Sequence, residues 1–124
     1  MHWVYIYILF LHWVGDFVLQ SRWMGTNKSK NWRALTAHVA VYSTTLWLGA
    51  LAAWQGDLFA ASQFAAVNFA VHFVIDAITS RVTGWAWEKK NIYLFFTVIG
   101  YDQFLHAATL LIATERLLGP PAWL

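Results

Sequence analysis

The sequence predicts an all-α membrane protein folded as one four-helix transmembrane bundle over residues 1–124. Three observations carry this expectation. The chain is 60% hydrophobic and 11% charged, less than half the roughly 25% charged share of a soluble domain. Aromatic residues make up 19% of it, with nine Trp, a ring content that suits the two interfaces of a bilayer. Four apolar runs, about 3–20, 34–54, 58–80 and 92–118, approach or exceed the ~20 residues with which a helix crosses the hydrocarbon core.

Each run reads as helix for the same reason. Backbone groups inside hydrocarbon must pair within their own segment, and the polar interruptions recur at intervals of four rather than two. The first run contains His12 and Asp16. It lacks the basic start and small-residue cleavage site of a signal peptide, so it is expected to be retained. Segment 21–33 carries Arg22, Lys28, Lys30 and Arg33 and no acid. The second run is interrupted by His38 and ends at the turn Gln55–Asp57. The third is interrupted by Asn68, His72 and Asp76, and the link 81–91 after it carries Arg81, Lys89 and Lys90 against Glu88. The fourth contains Asp102, Gln103 and His106 and stops at Gly119–Pro121, a helix-ending Gly-Pro pattern. The two basic segments fall on one face of four spans. The positive-inside rule places them in the cytoplasm, with both termini expected on the opposite side of the membrane.

Other classes are excluded by composition. The chain has no Cys, which removes disulfides, thiol redox chemistry and thiolate metal sites. Its net charge is +2, and seven of its eight basic residues lie in the two short segments beside apolar runs, a topology signal and not a nucleic-acid surface.

The chemistry lies in one repeated unit. Of six acidic residues, Asp16, Asp76 and Asp102 lie inside the runs, and each has a His four residues away: His12, His72 and His106. Residues at that spacing share a helix face, so each pair points into the bundle. His38 is the contribution of the second helix. A carboxylate inside a membrane span costs about 2.5–3.5 kcal/mol on insertion scales. Lys and Arg are absent from these span interiors, so bound cations are expected to compensate. Imidazole with carboxylate suits Zn above all, and also Mn or Fe. Seven potential ligands (His12, Asp16, His38, His72, Asp76, Asp102 and His106) exceed one tetrahedral zinc. One or two ions are expected, and a dinuclear site with one bridging Asp is compatible with this ligand count. Such sites activate water for hydrolysis or in-line displacement. Asp76 is the choice for general base, and Gln20, one turn past Asp16, for a residue that orients a ligand. At 1.5 Å per residue, Asp102 and His106 look too deep if the fourth helix starts at Ile92, so 91–96 is expected to be re-entrant or interfacial.

Blander roles are expected elsewhere. Asn68, Gln103 and Ser80 read as packing or interhelical hydrogen-bond residues, and the Trp residues as interface anchors or core. Lys28, Lys30 and Arg33 read as topology signals, with contact to a lipid head group or phosphate as the sharper alternative.

Several blocks (HWVGDFVLQSRWMGTNK, LTAHVAVY, HFVID and YDQFLH) resemble, in order, the signature blocks of a bacterial and phage membrane family, the domain of unknown function 3307. More loosely, the chain is similar to bacterial inner-membrane proteins described as metal-dependent hydrolases. The resemblance implies that His12, Asp16, Gln20, His38, His72, Asp76, Asp102 and His106 are motif residues. One departure is that a Lys commonly follows the HxxxD block by about three positions, where this chain has Thr79 and Ser80 and then Arg81.

The function expected is an intramembrane metal-dependent hydrolase acting on a lipid-like or phosphoester substrate. The HExxH and GxSxG signatures of known hydrolases are absent from the sequence. The alternatives are a small metal-ion or proton transporter, which would need to oligomerise at this size, and an accessory subunit of a larger membrane assembly. Membrane lipid and a second copy of the chain are the partners expected.

Overall fold

The structure, a computed structural model, describes residues 2–121 and 123. The described residues are almost entirely helical and contain no strand. α1 (His2–Trp13) runs on into a π-helical segment, Val14–Val18. α2 (Arg22–Asn27) is short, α3 spans Trp32–Ala53 and α4 spans Leu58–Glu88. α5 (Ile92–Ala113) runs on into a second π segment, Thr114–Leu118. Among the described residues, three helices are long and apolar enough to cross a membrane: Trp32–Ala53, Leu58–Glu88 and Ile92–Leu118.

Local chemistry sets the boundaries. Ser21, Asn31, Asp57 and Asn91 each cap a helix by accepting a backbone N–H at 2.9–3.2 Å, which satisfies donors that have no partner in the first turn. The turn between α3 and α4 puts Gln55 (φ 54°) and Gly56 (φ 76°) in the left-handed region. Gly119 (φ 64°) closes the last helix before the two prolines.

Three boundaries differ from expectation. The link 81–91 shrinks to three residues, because α4 continues to Glu88 instead of ending near 80. Charge marks where hydrocarbon ends, but it does not end a helix, and nothing in 81–88 removes a backbone donor. Arg81 reaches back along the helix to the Ala77 carbonyl (2.6 Å) and lies over the Trp32 ring at 4.1 Å. Second, 92–96 is regular helix with no re-entrant piece. The longer α4 removes the need for one. Asp76 lies twelve residues before the end of α4 and Asp102 ten after the start of α5, so the antiparallel pair brings them level. Third, the basic segment 21–33 contains α2, which packs on α3.

α4 packs between α3 and α5, and α1 packs against α3 and α5. The apolar core (Val4, Ile8, Tyr42, Leu46, Phe64 and Leu110 at its centre) fills the half of the molecule toward the α3–α4 turn. The outer surface is equally apolar: Phe59 is 74% exposed, Phe96 62% and Ile112 61%. This inverse surface, with the three long apolar helices, fits a membrane protein. In lipid, such helices are held by close packing and not by the hydrophobic effect. Gly15 is one such approach, since a Cβ there would lie 3.1 Å from Tyr42 Cδ2 and 3.3 Å from Tyr42 Cα. Gly15→Leu is therefore expected to force the π segment off α3. It should cost about 1–3 kcal/mol, read as a lower thermal midpoint in detergent by circular dichroism.

Candidate metal centre

The polar half of the molecule gathers the buried His and Asp side chains. α3 presents His38, α4 presents His72 and Asp76, α5 presents Asp102 and His106, and the π segment turns Asp16 inward. Asp16, His38, His72, Asp76 and His106 are each at most 4% exposed.

Four of these offer atoms to one point. His38 Nε2 lies 3.0 Å from Asp16 Oδ1, 3.2 Å from Asp76 Oδ2 and 3.1 Å from His72 Nε2. His72 Nε2 lies 3.4 Å from Asp16 Oδ1 and 3.5 Å from Asp76 Oδ2. Zinc bonded to nitrogen and oxygen at 2.0–2.1 Å in a regular tetrahedron needs ligand–ligand edges of about 3.3 Å. These five edges match that value to within a few tenths of an ångström. Two imidazole nitrogens that close can share only one proton between them, whereas a central cation would satisfy all four atoms together. A second group, Asp16, Asp102 and His106, also offers ligand atoms within 4.8 Å of one another. Asp16 is common to both groups. Rings stack within the cluster: Tyr42 on His72 (centroids 4.0 Å) and His72 on His106 (4.1 Å).

His12 belongs to neither group. Its Nε2 is 3.8 Å from Asp16, beyond hydrogen-bond range. Gln103 explains why. Its amide nitrogen donates to Asp16 Oδ2 (3.1 Å) and Asp102 Oδ2 (3.0 Å), so its carbonyl oxygen faces His12 Nε2 at 2.9 Å. Nε2 must then carry the proton, and Nδ1 accepts from the Tyr42 hydroxyl at 3.0 Å. Both ring nitrogens are engaged, and His12 holds the network in place.

The expectation that no basic side chain reaches the carboxylates is corrected. Lys28 Nζ contacts Asp76 Oδ2 at 2.8 Å, with the Lys side chain 21% exposed and the Asp side chain 2%. α2 is what carries a loop cation back over the open end of the bundle. Gln20 makes no hydrogen bond to Asp16. The helix ends before it, and its Oε1 is buried with no partner. The orienting role falls to Gln103. Asn68 donates to the Phe64 carbonyl of its own helix (2.8 Å) and stands apart from the cluster, as a packing residue does. His106 Nε2 meets Asp76 Oδ1 at 2.9 Å and Asp102 Oδ1 at 3.4 Å, and Thr79 donates to Asp102 Oδ1 at 2.5 Å.

Tyr42, Thr79 and Lys28 are partners that sequence reasoning missed, whereas Gln103 is an interhelical hydrogen-bond residue as expected, bonded to Asp16 and His12. Tyr42 had a signal, four residues after His38 on the same face. Lys28 had none that set it apart from Lys30 or Arg33.

A cleft of about 300 Å³ leads to the cluster, lined by Asp16, Gln20, Lys28, Ser80, Asp102 and Gln103 among others. A His/Asp cluster of this kind, in a helical protein with membrane-length helices, has the donor set of a metal centre. A family model described as "Protein of unknown function (DUF3307)" matches residues 4–121, and the chain belongs to that family. No curated protein and no solved structure matches it.

Gln103 and Asn68 should separate by stability. Gln103→Met strips partners from Asp16, Asp102 and His12 and is expected to cost about 1–3 kcal/mol. Asn68→Leu removes one bond within a helix and should cost less than about 1 kcal/mol. Thermal unfolding in detergent ranks the two.

Proposed function

We propose that this chain is a four-span protein of the bacterial inner membrane that binds one or two divalent transition-metal ions, Zn foremost, and hydrolyses a substrate reaching them from the cytoplasmic side. The convergence of His38, His72, Asp16 and Asp76 at tetrahedral edge lengths is the observation that carries this reading. α1 and its π segment would make the fourth crossing. Their 17 residues (twelve and five) extend about 25 Å at 1.5 Å per residue, close to the hydrocarbon thickness. The basic segments 21–33 and 81–91 would face the cytoplasm, with both termini outside.

A bound ion would supply Lewis acidity and lower the pKa of a water. The chain's own groups would do the rest. Asp76 is 1% exposed, held by His106 and Lys28, and does not line the cleft. Asp102, its side chain 14% exposed, does line it. Asp102 is therefore the better-placed general base, with Thr79 and Gln103 orienting it. The apolar half of the molecule favours an enzyme over a conduit, because Val4, Ile8, Leu46, Phe64 and Leu110 close the route beyond the cluster.

Metal content of detergent-purified protein, measured by mass spectrometry, tests the site. One or two ions per chain are expected, lost in His72→Ala and reduced in Asp102→Ala. Restoring metal at a hundred times its Kd should stabilise the protein by about 2.7 kcal/mol. Metal-free protein that gains no stability from Zn or Mn would overturn the reading. The topology has its own test, since the chain lacks Cys. Lys89→Cys should react with an impermeant thiol reagent only from the cytoplasmic side, and Gln55→Cys only from the opposite side.

A further inference from the structure

We infer that the cleft binds the phosphate monoester head of a membrane amphiphile, with Lys28 and Ser80 as its anion-binding residues. This rests on the metal-site reading above and names its substrate class.

The first argument is charge. With the imidazoles neutral, as metal ligands must be, Asp16, Asp76 and Asp102 against the Lys28 ammonium leave two negative charges in the cluster. Filling both donor groups with divalent ions turns this into two positive charges. A phosphate monoester dianion would bring the sum to zero, whereas a neutral ester or amide would leave buried charge uncompensated.

The second argument is the unmet polar capacity of the cleft walls. Ser80 Oγ is buried without a hydrogen-bond partner in a residue 7% exposed, and it lines the cleft. Lys28 also lines the cleft and spends one of its three donors on Asp76. A donor hydroxyl and an ammonium on the same wall suit phosphate oxygens. Lys28 and Ser80 also line a second cavity of about 230 Å³, which extends past Lys30 and Trp87 to the end of α4. The head group would enter along that path, from the level of the basic segments.

The third argument separates an amphiphile from a soluble phosphate ester. Phe17, Phe95 and Ile99 form the apolar part of the cleft wall, and Phe17 is 48% exposed on the outer surface. The cleft wall therefore continues into the apolar exterior of the protein, where an acyl or prenyl chain would lie. The reaction is hydrolysis. Water oxygen bonds to phosphorus, and the bond from phosphorus to the lipid oxygen breaks. The lipid oxygen leaves with the electron pair and takes up the proton that Asp102 removed from water. The products are the lipid alcohol and inorganic phosphate.

The test measures phosphate release by Zn- or Mn-loaded protein in mixed micelles of phosphatidic acid, beside p-nitrophenyl phosphate and phosphatidylcholine. Metal content is determined on every sample. Turnover of phosphatidic acid is expected, with little from the soluble monoester or the diester. Lys28→Ala and Ser80→Ala should keep their metal, and Lys28→Ala should raise KM roughly 10- to 100-fold. Lys28→Arg should recover part of that loss, which a merely structural ion pair would not predict in KM. Equal turnover of the soluble ester would overturn the amphiphile. Stoichiometric metal with no phosphate release and no stabilisation by inorganic phosphate would overturn the anion site while leaving the metal site standing. Absence of metal would instead remove the reading on which this one rests.

Discussion

Three carboxylates buried in a chain this apolar must each find compensation, and the rest of the structure is arranged around that requirement. An uncompensated buried charge is far costlier than any single packing defect. Asp76 meets His38, His72, His106 and Lys28. Asp16 meets His38, His72 and Gln103. Asp102 meets His106, Thr79 and Gln103. No helix can satisfy its own aspartate alone. Each carboxylate draws on at least one other segment, so the charges specify how the helices sit against one another.

The two halves of the molecule do different work. The apolar half, from Val4 and Ile8 through Phe64 to Leu110, holds the helices by close packing. The polar half is held by directional bonds and gathers the clustered His and Asp side chains. The π segment at Val14–Val18 sits at the junction. Its wider turn ends α1 early and places Asp16 against His38 and His72, a geometry that Gly15 permits by its closeness to Tyr42. π segments inside helices often fall at functional sites for this reason, because they re-aim one side chain without breaking the helix.

α2 matters out of proportion to its six residues. Without it the basic segment would be a topology signal and nothing more. Folded onto α3, it delivers Lys28 to Asp76 and forms one wall of the cleft. The cluster thus has an open end guarded by a cation and a closed end sealed by apolar packing, and that asymmetry is what favours a site reached from one side.

Much was legible in the sequence because it depends on local spacing. Apolar runs marked the long helices, and steps of four residues placed His72 with Asp76 and His106 with Asp102 on shared faces. Helix ends were less legible. A helix stops where caps, Gly or Pro stop it, not where charge begins, so α4 outran its expected end and removed the need for a re-entrant fourth segment. The family, the helical class and the identity of most of the clustered residues were determined by sequence alone. Only the tertiary structure decided that Asp16 is shared by two groups, that Gln103 and Tyr42 draw His12 away from them, and that Lys28 reaches Asp76. These are contacts between residues 22 to 91 positions apart, and side-chain spacing along one helix carries no information about which neighbour it will face.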